Sequence, residues 1–270
     1  MRPLRLLVLA PLVWPLAAQG AETRCWFEAG VVVVPAEVMG VAADYVLDTG
    51  EPRTLLALTQ AQAAGHAETD LKGPVRVAGL ELADRPVAVV PLDARLRKLP
   101  TPVAGVLGAD LLAGKVLDVT FQPCRVRIYD AGHAPRFPAA LTVPLGWRAG
   151  RPVALAAVSD GRRAFDGDFV VSTGSDTPVR LRDDLAGAPA AAEREPLYPD
   201  GEARPRLRAL SFAGDLFENA PSGLVAKAGL DAAGEIGAPV LAAYRLRFDF
   251  ARGRLSLLKQ KGPPDRSGGP

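Results

Sequence analysis

The chain of 270 residues is poor in the residue types that build metal, redox and nucleic acid sites. It has two cysteines and two histidines, and the histidines, His66 and His133, lie far from both cysteines in sequence. Because no metal-ligand spacing is present, we predict no metal site and no cofactor. The formal net charge is only +2, which predicts no basic surface and therefore no nucleic acid partner.

Long hydrophobic runs are also missing, apart from one near the amino terminus. Residues 6–16 are apolar, follow Arg2 and Arg5, and precede small residues at 17–21. The run contains two prolines and is shorter than the roughly 20 residues of a membrane-spanning helix. We therefore predict that residues 1–21 are a secretory signal peptide and that the protein is exported, periplasmic or secreted, with no membrane attachment after leader cleavage. An uncleaved anchor is the alternative.

Glycine and proline, by contrast, are frequent, with 27 and 25 residues, and the remaining apolar runs are short. This composition is typical of a protein with many strands and turns and few long helices. The roughly 250 residues that follow the leader are enough to bury the core of one domain or of two.

One turn places a carboxylate at the end of an apolar strand. Val46 and Leu47 predict a short buried strand, which Asp48 follows. Thr49 can tie the loop by a hydroxyl hydrogen bond, and Gly50 allows a backbone geometry closed to other residues. Asp48 is therefore a candidate acid or base.

The surroundings of this turn occur twice. Residues 168–174, Asp-Phe-Val-Val-Ser-Thr-Gly, repeat the apolar run and the turn, with Ser172 where the first copy has Asp48. About sixty residues after each turn comes a second motif, Gly-Val-Leu-Gly at 105–108 and Gly-Glu-Ile-Gly at 234–237. Each copy then ends in a predicted hairpin. An internal duplication of about 125 residues accounts for the pattern.

Each turn is also followed by a segment that predicts a short helix ending at a glycine. The segment is 54–64 in the first copy, before Gly65, and 179–186 in the second, before Gly187. We therefore expect a short helix after the turn in both copies.

Together, the Asp-Thr-Gly turn, the Val106-Leu107-Gly108 motif and the terminal hairpin resemble the aspartic proteases, specifically the retropepsin-like bacterial type. The duplication makes the chain similar to the two-lobed pepsin arrangement. The resemblance covers about residues 27–258. It implies an all-β fold with short helices, in which two retropepsin-like β-barrel lobes form a bilobal pepsin-like arrangement. The lobes are expected at 22–135 and 140–260, with a disordered tail at 261–270.

The same resemblance implies where the site lies. Its residues are Asp48, Thr49 and Gly50 of the first lobe and Ser172, Thr173 and Gly174 of the second. Proteases of this type use two carboxylates that share one proton, so that one takes a proton from water while the other donates to the peptide carbonyl. This sequence departs from that pattern twice, because Ser172 replaces the second aspartate and Glu51 replaces the small residue after the first turn.

Three substitutes for the missing carboxylate are open. Glu51 could reach into the site, although a solvated turn residue is the simpler interpretation. Two chains could pair their first lobes and bring together two copies of Asp48. Asp176 lies four residues beyond Ser172, but the expected helix there would turn it outward. Ser172 itself is a poor candidate nucleophile because no histidine base is near either turn.

These observations predict an exported protein of aspartic-peptidase type, a monomer that binds extended polypeptide in a cleft between its lobes. Endopeptidase activity is expected to be weak or lost because of Ser172. The alternative is an active aspartic endopeptidase that uses Asp48 with Glu51 or with a second chain's Asp48.

The two cysteines, Cys25 and Cys124, fall on the expected first strand and in the first lobe's closing hairpin. In an oxidising compartment they could form a disulfide, and two buried thiols are the equal alternative.

Overall fold

The computed structural model describes residues 22–92, 96, 99–182, 184–185, 195–197, 202–204, 206–225, 227 and 230–260, with 195–197 and 202–204 as backbone only. The predicted signal peptide at 1–21 and the predicted disordered tail at 261–270 lie outside the described residues. In the described part of the chain, no helix has both the length and the apolar character needed to cross a membrane.

The first half of the chain is built almost entirely of strands. They are β1 (Glu22–Arg24), β2 (Trp26–Glu28), β3 (Val31–Val38), β4 (Val41–Leu47), β5 (Thr54–Ala57), β6 (Asp70–Val77), β7 (Leu80–Val90), β8 (Gly105–Leu107), β9 (Lys115–Phe121) and β10 (Cys124–Asp130). A short helix, α1 (Leu58–Ala63), follows β5, and a 3-10 turn (Ala109–Leu112) follows β8.

The second half repeats this plan. Its strands are β11 (Leu141–Pro144), β12 (Gly146–Arg148), β13 (Arg151–Ser159), β14 (Ala164–Val171), β15 (Val179–Arg182), β16 (Glu195–Leu197), β17 (Glu202–Arg204), β18 (Arg206–Phe212), β19 (Asp215–Val225), β20 (Gly234–Ile236), β21 (Tyr244–Asp249) and β22 (Arg254–Lys259). One helical turn, α2 (Ala238–Leu241), follows β20, and β16 pairs with β17 as a separate ribbon.

Each half forms a closed barrel with the same strand order. In the first lobe the order is β2-β3-β4-β8-β5-β7-β6, and β6 also pairs with β3, so that six strands close on themselves. In the second lobe the order is β12-β13-β14-β20-β15-β19-β18, and β18 pairs back with β13. The predicted all-β, bilobal fold class is confirmed.

A third sheet joins the lobes. Its order is β1-β10-β9-β21-β22-β11, and the two halves of the chain meet where β9 pairs with β21. At that seam Arg247 donates to both carboxylate oxygens of Asp118, at 2.6 and 2.7 Å. The guanidinium also donates to the Pro135 carbonyl, so this nearly buried charge is held by one carboxylate and one backbone group.

Tight hairpin turns fix the register of the barrel strands. Four hairpins turn on an Ala-Gly pair and one on Met39-Gly40, and in each pair both residues have positive φ. This is the type I′ geometry, whose twist matches that of the flanking strands. In the second position glycine meets the requirement without the steric cost of a side chain.

The short helices expected after the turns are largely replaced by strands. In the first lobe β5 precedes the helix α1, and in the second lobe β15 occupies residues 179–182. The helix prediction is therefore wrong for the second lobe and half right for the first. In β15 the buried residues Val179 and Leu181 alternate with half-buried arginines, a period of two, and the strand pairs in parallel with β19.

A continuous apolar core runs through both lobes and the joining sheet. It includes Leu47 from the first lobe, Phe169 from the second, and Leu117 and Phe248 from the seam. A disulfide between Cys25 and Cys124 attaches the segment between β1 and β2 to the start of β10.

Candidate active site

The turns after β4 and β14 meet between the lobes and bring Asp48 and Ser172 together. The backbone N–H of Asp48 donates to the Leu107 carbonyl at 3.0 Å. The N–H of Ser172 donates to the Ile236 carbonyl at 2.9 Å. The two glycine-containing motifs found in the sequence, in β8 and β20, therefore anchor the two turns.

The two turns are also locked to each other by hydrogen bonds between equivalent threonines. Thr49 Oγ1 donates to the Val171 carbonyl at 2.6 Å, and Thr173 Oγ1 donates to the Leu47 carbonyl at 2.6 Å. Each hydroxyl also accepts the N–H of the opposite threonine, at 3.1 and 3.2 Å. Both side chains have no solvent exposure. This near-symmetric set of four bonds fixes one lobe against the other at the site.

Glycine is required at the third position of both turns for reasons of space. A Cβ atom on Gly50 would lie 2.6 Å from the Ser172 Cβ, and one on Gly174 would lie 2.4 Å from the Asp48 Cγ. Neither distance is compatible with a side chain. The glycines therefore allow the close approach of Asp48 and Ser172.

The Asp48 carboxylate accepts two hydrogen bonds on one oxygen. Ser172 Oγ donates to Asp48 Oδ1 at 2.7 Å, and the Gly50 N–H donates to the same atom at 2.8 Å. Asp48 is 4% exposed and Ser172 is fully buried. The Ser172 hydroxyl therefore donates to Asp48, and its oxygen can also accept a hydrogen bond.

The other carboxylates suggested by the sequence have different surroundings. Glu51 is half-buried, and its backbone is held by bonds to the Asp48 carbonyl and from the Ala109 N–H, at 3.2 and 2.7 Å. Asp176 is exposed and accepts a 2.8 Å ion-pair hydrogen bond from Arg180. The segment that follows it is the strand β15, so the helix that was expected to turn Asp176 outward is not there.

The structure adds a carboxyl group that sequence reasoning missed. Glu235 lies in β20, paired with Val170 of β14 on one side and with Arg180 of β15 on the other. Its register partner Val170 lies two residues before Ser172, and Glu235 is close enough to Asp48 for the negative charge of Asp48 to act on its carboxyl group. Ser172 is thus hydrogen-bonded to Asp48 and to the strand that carries Glu235.

Burial raises the pKa of Glu235, and the negative charge of Asp48 raises it further. The positive charge of Arg180 and the hydroxyls of Ser175 and Ser172 act in the opposite direction and only partly offset this. Ser175 Oγ is buried and makes no well-formed hydrogen bond with any described residue. Glu235 is therefore held toward its protonated form beside a second carboxyl group.

A signal for Glu235 was present in the sequence. The first copy of the repeated motif has an apolar residue, Val106, at the equivalent position, and Val106 is completely buried. A carboxylate in the middle of an apolar motif is costly unless it has partners. Comparing the two copies residue by residue, and not only by their glycines, would have singled it out.

A cavity of about 460 Å³ lies between the lobes beside these groups. Its first-lobe wall is mostly apolar, and its second-lobe wall carries Gly174, Asp176 and Arg180. The first-lobe lining consists of Ala29, Val31, Val46, Leu96 and Leu99. Because Gly174 packs directly on Asp48, the cavity adjoins the candidate active site.

Comparison with solved structures decides the fold. An aspartic proteinase from Irpex lacteus aligns with a TM-score of 0.57 and 13% sequence identity, covering 89% of this chain and 97% of that one. This chain has the pepsin-like aspartic proteinase fold. Basic 7S globulin from soybean also aligns, with a TM-score of 0.54, 11% identity, and coverage of 89% and 95%. No protein-family model and no curated protein sequence matches the pepsin-like chain.

Proposed function

We propose that this protein is exported and binds an extended polypeptide in the cleft between its two lobes. The observation that carries the proposal is the interlocked pair of turns at the edge of the interlobe cavity, with Asp48 and Ser172 in contact at 2.7 Å. An extended chain suits this space because it presents a carbonyl group at every residue and its side chains alternate between the two walls.

The two walls favour different side chains. The first-lobe wall, with Val31, Val46 and Leu99, suits an apolar residue of the bound chain. The second-lobe wall offers the guanidinium of Arg180 and the carboxylate of Asp176, which are paired with each other. The proposed ligand therefore places an apolar side chain toward the first lobe.

Asp48 and Ser172 alone do not form a hydrolytic pair. A serine hydroxyl is not acidic enough to replace a protonated carboxyl group, so this pair cannot divide the acid and base roles. Pairing with a second chain's Asp48 requires breaking the four threonine hydrogen bonds between the lobes. Any turnover therefore needs another carboxyl group of the same chain.

Export is part of this proposal. The disulfide between Cys25 and Cys124 supports it, since structural disulfides persist mainly in oxidising compartments. Fractionation of bacteria that express the full chain, with amino-terminal sequencing of the product, tests this part. Cleavage near residue 21 and recovery outside the cytoplasm are expected, and an intact cytoplasmic chain would contradict it.

Binding is tested with a pool of fluorescein-labelled unstructured decapeptides that carry a benzophenone group. Crosslinks mapped by mass spectrometry are expected at the cavity lining, and Leu99→Arg should weaken binding at least tenfold. The matched control is Leu141→Arg, an exposed leucine in the edge strand of the joining sheet, which should leave binding unchanged. Crosslinks scattered over the outer surface would overturn the proposal.

A further inference from the structure

We propose that Glu235 is the second carboxyl group of this site and that, together with Asp48, it enables the protein to hydrolyse peptide bonds of the polypeptide it holds. The inference rests on the proposed function, because it requires a chain bound in the cleft. It assigns activity to a residue outside both Asp/Ser-Thr-Gly turns.

The strand register places Glu235 at the site. In β20 it lies beside Val170, two residues before Ser172 in the neighbouring strand. The next residue, Ile236, accepts the backbone N–H of Ser172 at 2.9 Å. Glu235 is therefore fixed by the same anchor that positions the second turn, and its position does not depend on a flexible loop.

Ser172 lies between the two carboxyl-bearing residues. Its hydroxyl donates a hydrogen bond to Asp48 Oδ1 at 2.7 Å, and its backbone N–H is bonded to Ile236, the residue after Glu235. The proposal assigns the base role to Asp48 and the acid role to Glu235, since two carboxyl groups that act together on a peptide bond share one proton.

The groups facing Glu235 are consistent with an acid. The turn after β4 contributes the negative charge of Asp48, and β15 contributes the positive charge of Arg180. The second turn contributes the hydroxyls of Ser172 and Ser175, and β14 contributes only the apolar Val170. Burial and the Asp48 charge raise the pKa of Glu235, so its proton is retained to a higher pH than that of an exposed glutamate.

The proposed reaction balances with water as the only co-reactant. Asp48 takes a proton from a water molecule while the water oxygen forms a bond to the peptide carbonyl carbon. Glu235 gives its proton to the carbonyl oxygen, which yields a neutral tetrahedral diol. The C–N bond then breaks, the proton on Asp48 passes to the leaving nitrogen, and a diol hydroxyl returns a proton to Glu235. The products are a carboxylic acid and an amine.

A purely structural role is the competing explanation. Glu235 and Arg180 are register partners on adjacent strands, so their interaction could serve only to hold β20 against β15. The explanations differ in the pH profile of cleavage. An acid must be protonated to act, so the high-pH limb of activity reports the pKa of Glu235.

The test measures cleavage of unlabelled, reduced and alkylated casein by mass spectrometry from pH 3 to 8, beside peptide binding measured by fluorescence anisotropy. Glu235→Gln is expected to lower kcat by about 100-fold or more with binding unchanged. Asp48→Asn should abolish cleavage.

Arg180→Leu should shift the high-pH limb of the activity profile upward, because the charge of Arg180 lowers the pKa of Glu235. Arg208→Leu, an exposed arginine in β18, is the matched control and should shift nothing.

The outcomes separate this inference from the proposed function. Binding without cleavage at any pH overturns the role of Glu235 and leaves the binding function standing. Cleavage that survives Glu235→Gln assigns the glutamate to a structural role alone and overturns the inference. If the wild-type protein neither binds nor cleaves polypeptide, both proposals are overturned. If Glu235→Gln does not fold, Arg180→Leu provides the test. A high-pH limb of cleavage activity that is the same as in wild type would overturn the inference.

Discussion

The two lobes share one backbone plan, yet they fill one cross-strand pair with opposite chemistry. In the first lobe Val106 of β8 faces Leu55 of β5. In the second lobe the equivalent residues are Glu235 of β20 and Arg180 of β15. The first pair is part of an apolar cluster, and the second combines an acidic and a basic residue.

The position of this difference is informative. The lobe that carries a serine in place of the turn carboxylate is the lobe that carries a glutamate in the neighbouring strand. The second lobe thus has a carboxyl group in β20 and none at the first position of its turn, while the strand order of the two lobes is the same. A site of this kind is described better by the groups that converge on it than by the motif that the sequence shows.

The largest effect is expected when the charge is moved into the first lobe. Val106 is completely buried among Val46, Leu92 and Leu96, without a cationic neighbour in that cluster as described. Val106→Glu should cost about 3–5 kcal/mol of unfolding free energy, because a buried carboxyl group without a partner is strongly destabilising. Urea denaturation measures it.

The control for this substitution is Leu224→Glu, since Leu224 is 60% exposed. That change should cost less than about 0.5 kcal/mol. A cost for Val106→Glu as small as that of the control would mean that the first lobe can also accommodate a carboxyl group, and the contrast between the lobes would then be lost.

The next largest effect concerns a feature that both lobes share. Gly174→Ala places a Cβ 2.4 Å from the Asp48 Cγ, so one turn must move. A loss of about 1–3 kcal/mol is expected from the overpacking, together with loss of peptide binding. Thermal unfolding and fluorescence anisotropy measure the two effects.

Gly40→Ala is the matched control for the glycine substitution. Gly40 has a positive φ of 81°, but a Cβ added there would meet no atom within 4 Å, so only backbone strain of about 1 kcal/mol is expected and binding should persist. Equal effects on binding from both substitutions would show that the interlock of the turns is not what positions the site.

A smaller effect, and one confined to the second lobe, is the pH dependence that Glu235 imposes on stability. A carboxyl group whose pKa is raised by folding stabilises the protein at low pH, and that contribution is lost as the pH rises through the folded-state value. Glu235→Gln removes this loss of stability, because glutamine does not ionise. The variant should therefore gain stability relative to wild type as the pH increases from about 4 toward 8.

Thermal unfolding across that pH range measures the gain. Glu218→Gln, a change to an exposed glutamate of β19, serves as the control and should run parallel to wild type. If the stability of Glu235→Gln also follows that of wild type at every pH, the pKa of Glu235 is not raised by folding. The two lobes would then not differ in electrostatics at Glu235 and Val106.

Much of the fold could be predicted from the sequence because the residue patterns that indicate it are local and occur twice. The alternation of buried and exposed residues in β6, and the two apolar runs that end in Asp48 and Ser172, need no knowledge of distant partners. The contact between those two residues was expected from the resemblance to two-lobed aspartic proteases, which the duplication supports.

What could not be predicted depended on distant pairing. Residues 179–182 read as helix, yet they form β15 because β19, about forty residues later, pairs with them. Glu235 was read as part of a glycine motif because its partners, Arg180 and Ser172, lie more than fifty residues earlier. Local propensity carries no information on either pairing.

The smallest effect on stability is expected when the second lobe is given the chemistry of the first. The double substitution Glu235→Val and Arg180→Leu replaces an acidic and a basic register partner with an apolar pair like that of Val106 and Leu55. Replacing such a pair together is often neutral or slightly stabilising, so unfolding free energy at pH 7 should change by less than about 1 kcal/mol. Urea denaturation measures it, and peptide binding should remain. Arg180→Leu alone should cost more than the double substitution, since it leaves Glu235 without its cationic neighbour, whereas Glu235→Val alone leaves Arg180 paired with Asp176. If the double variant is the least stable of the three, the pair of Glu235 and Arg180 is required by the second lobe's packing, and the two lobes differ in more than the chemistry of one pair.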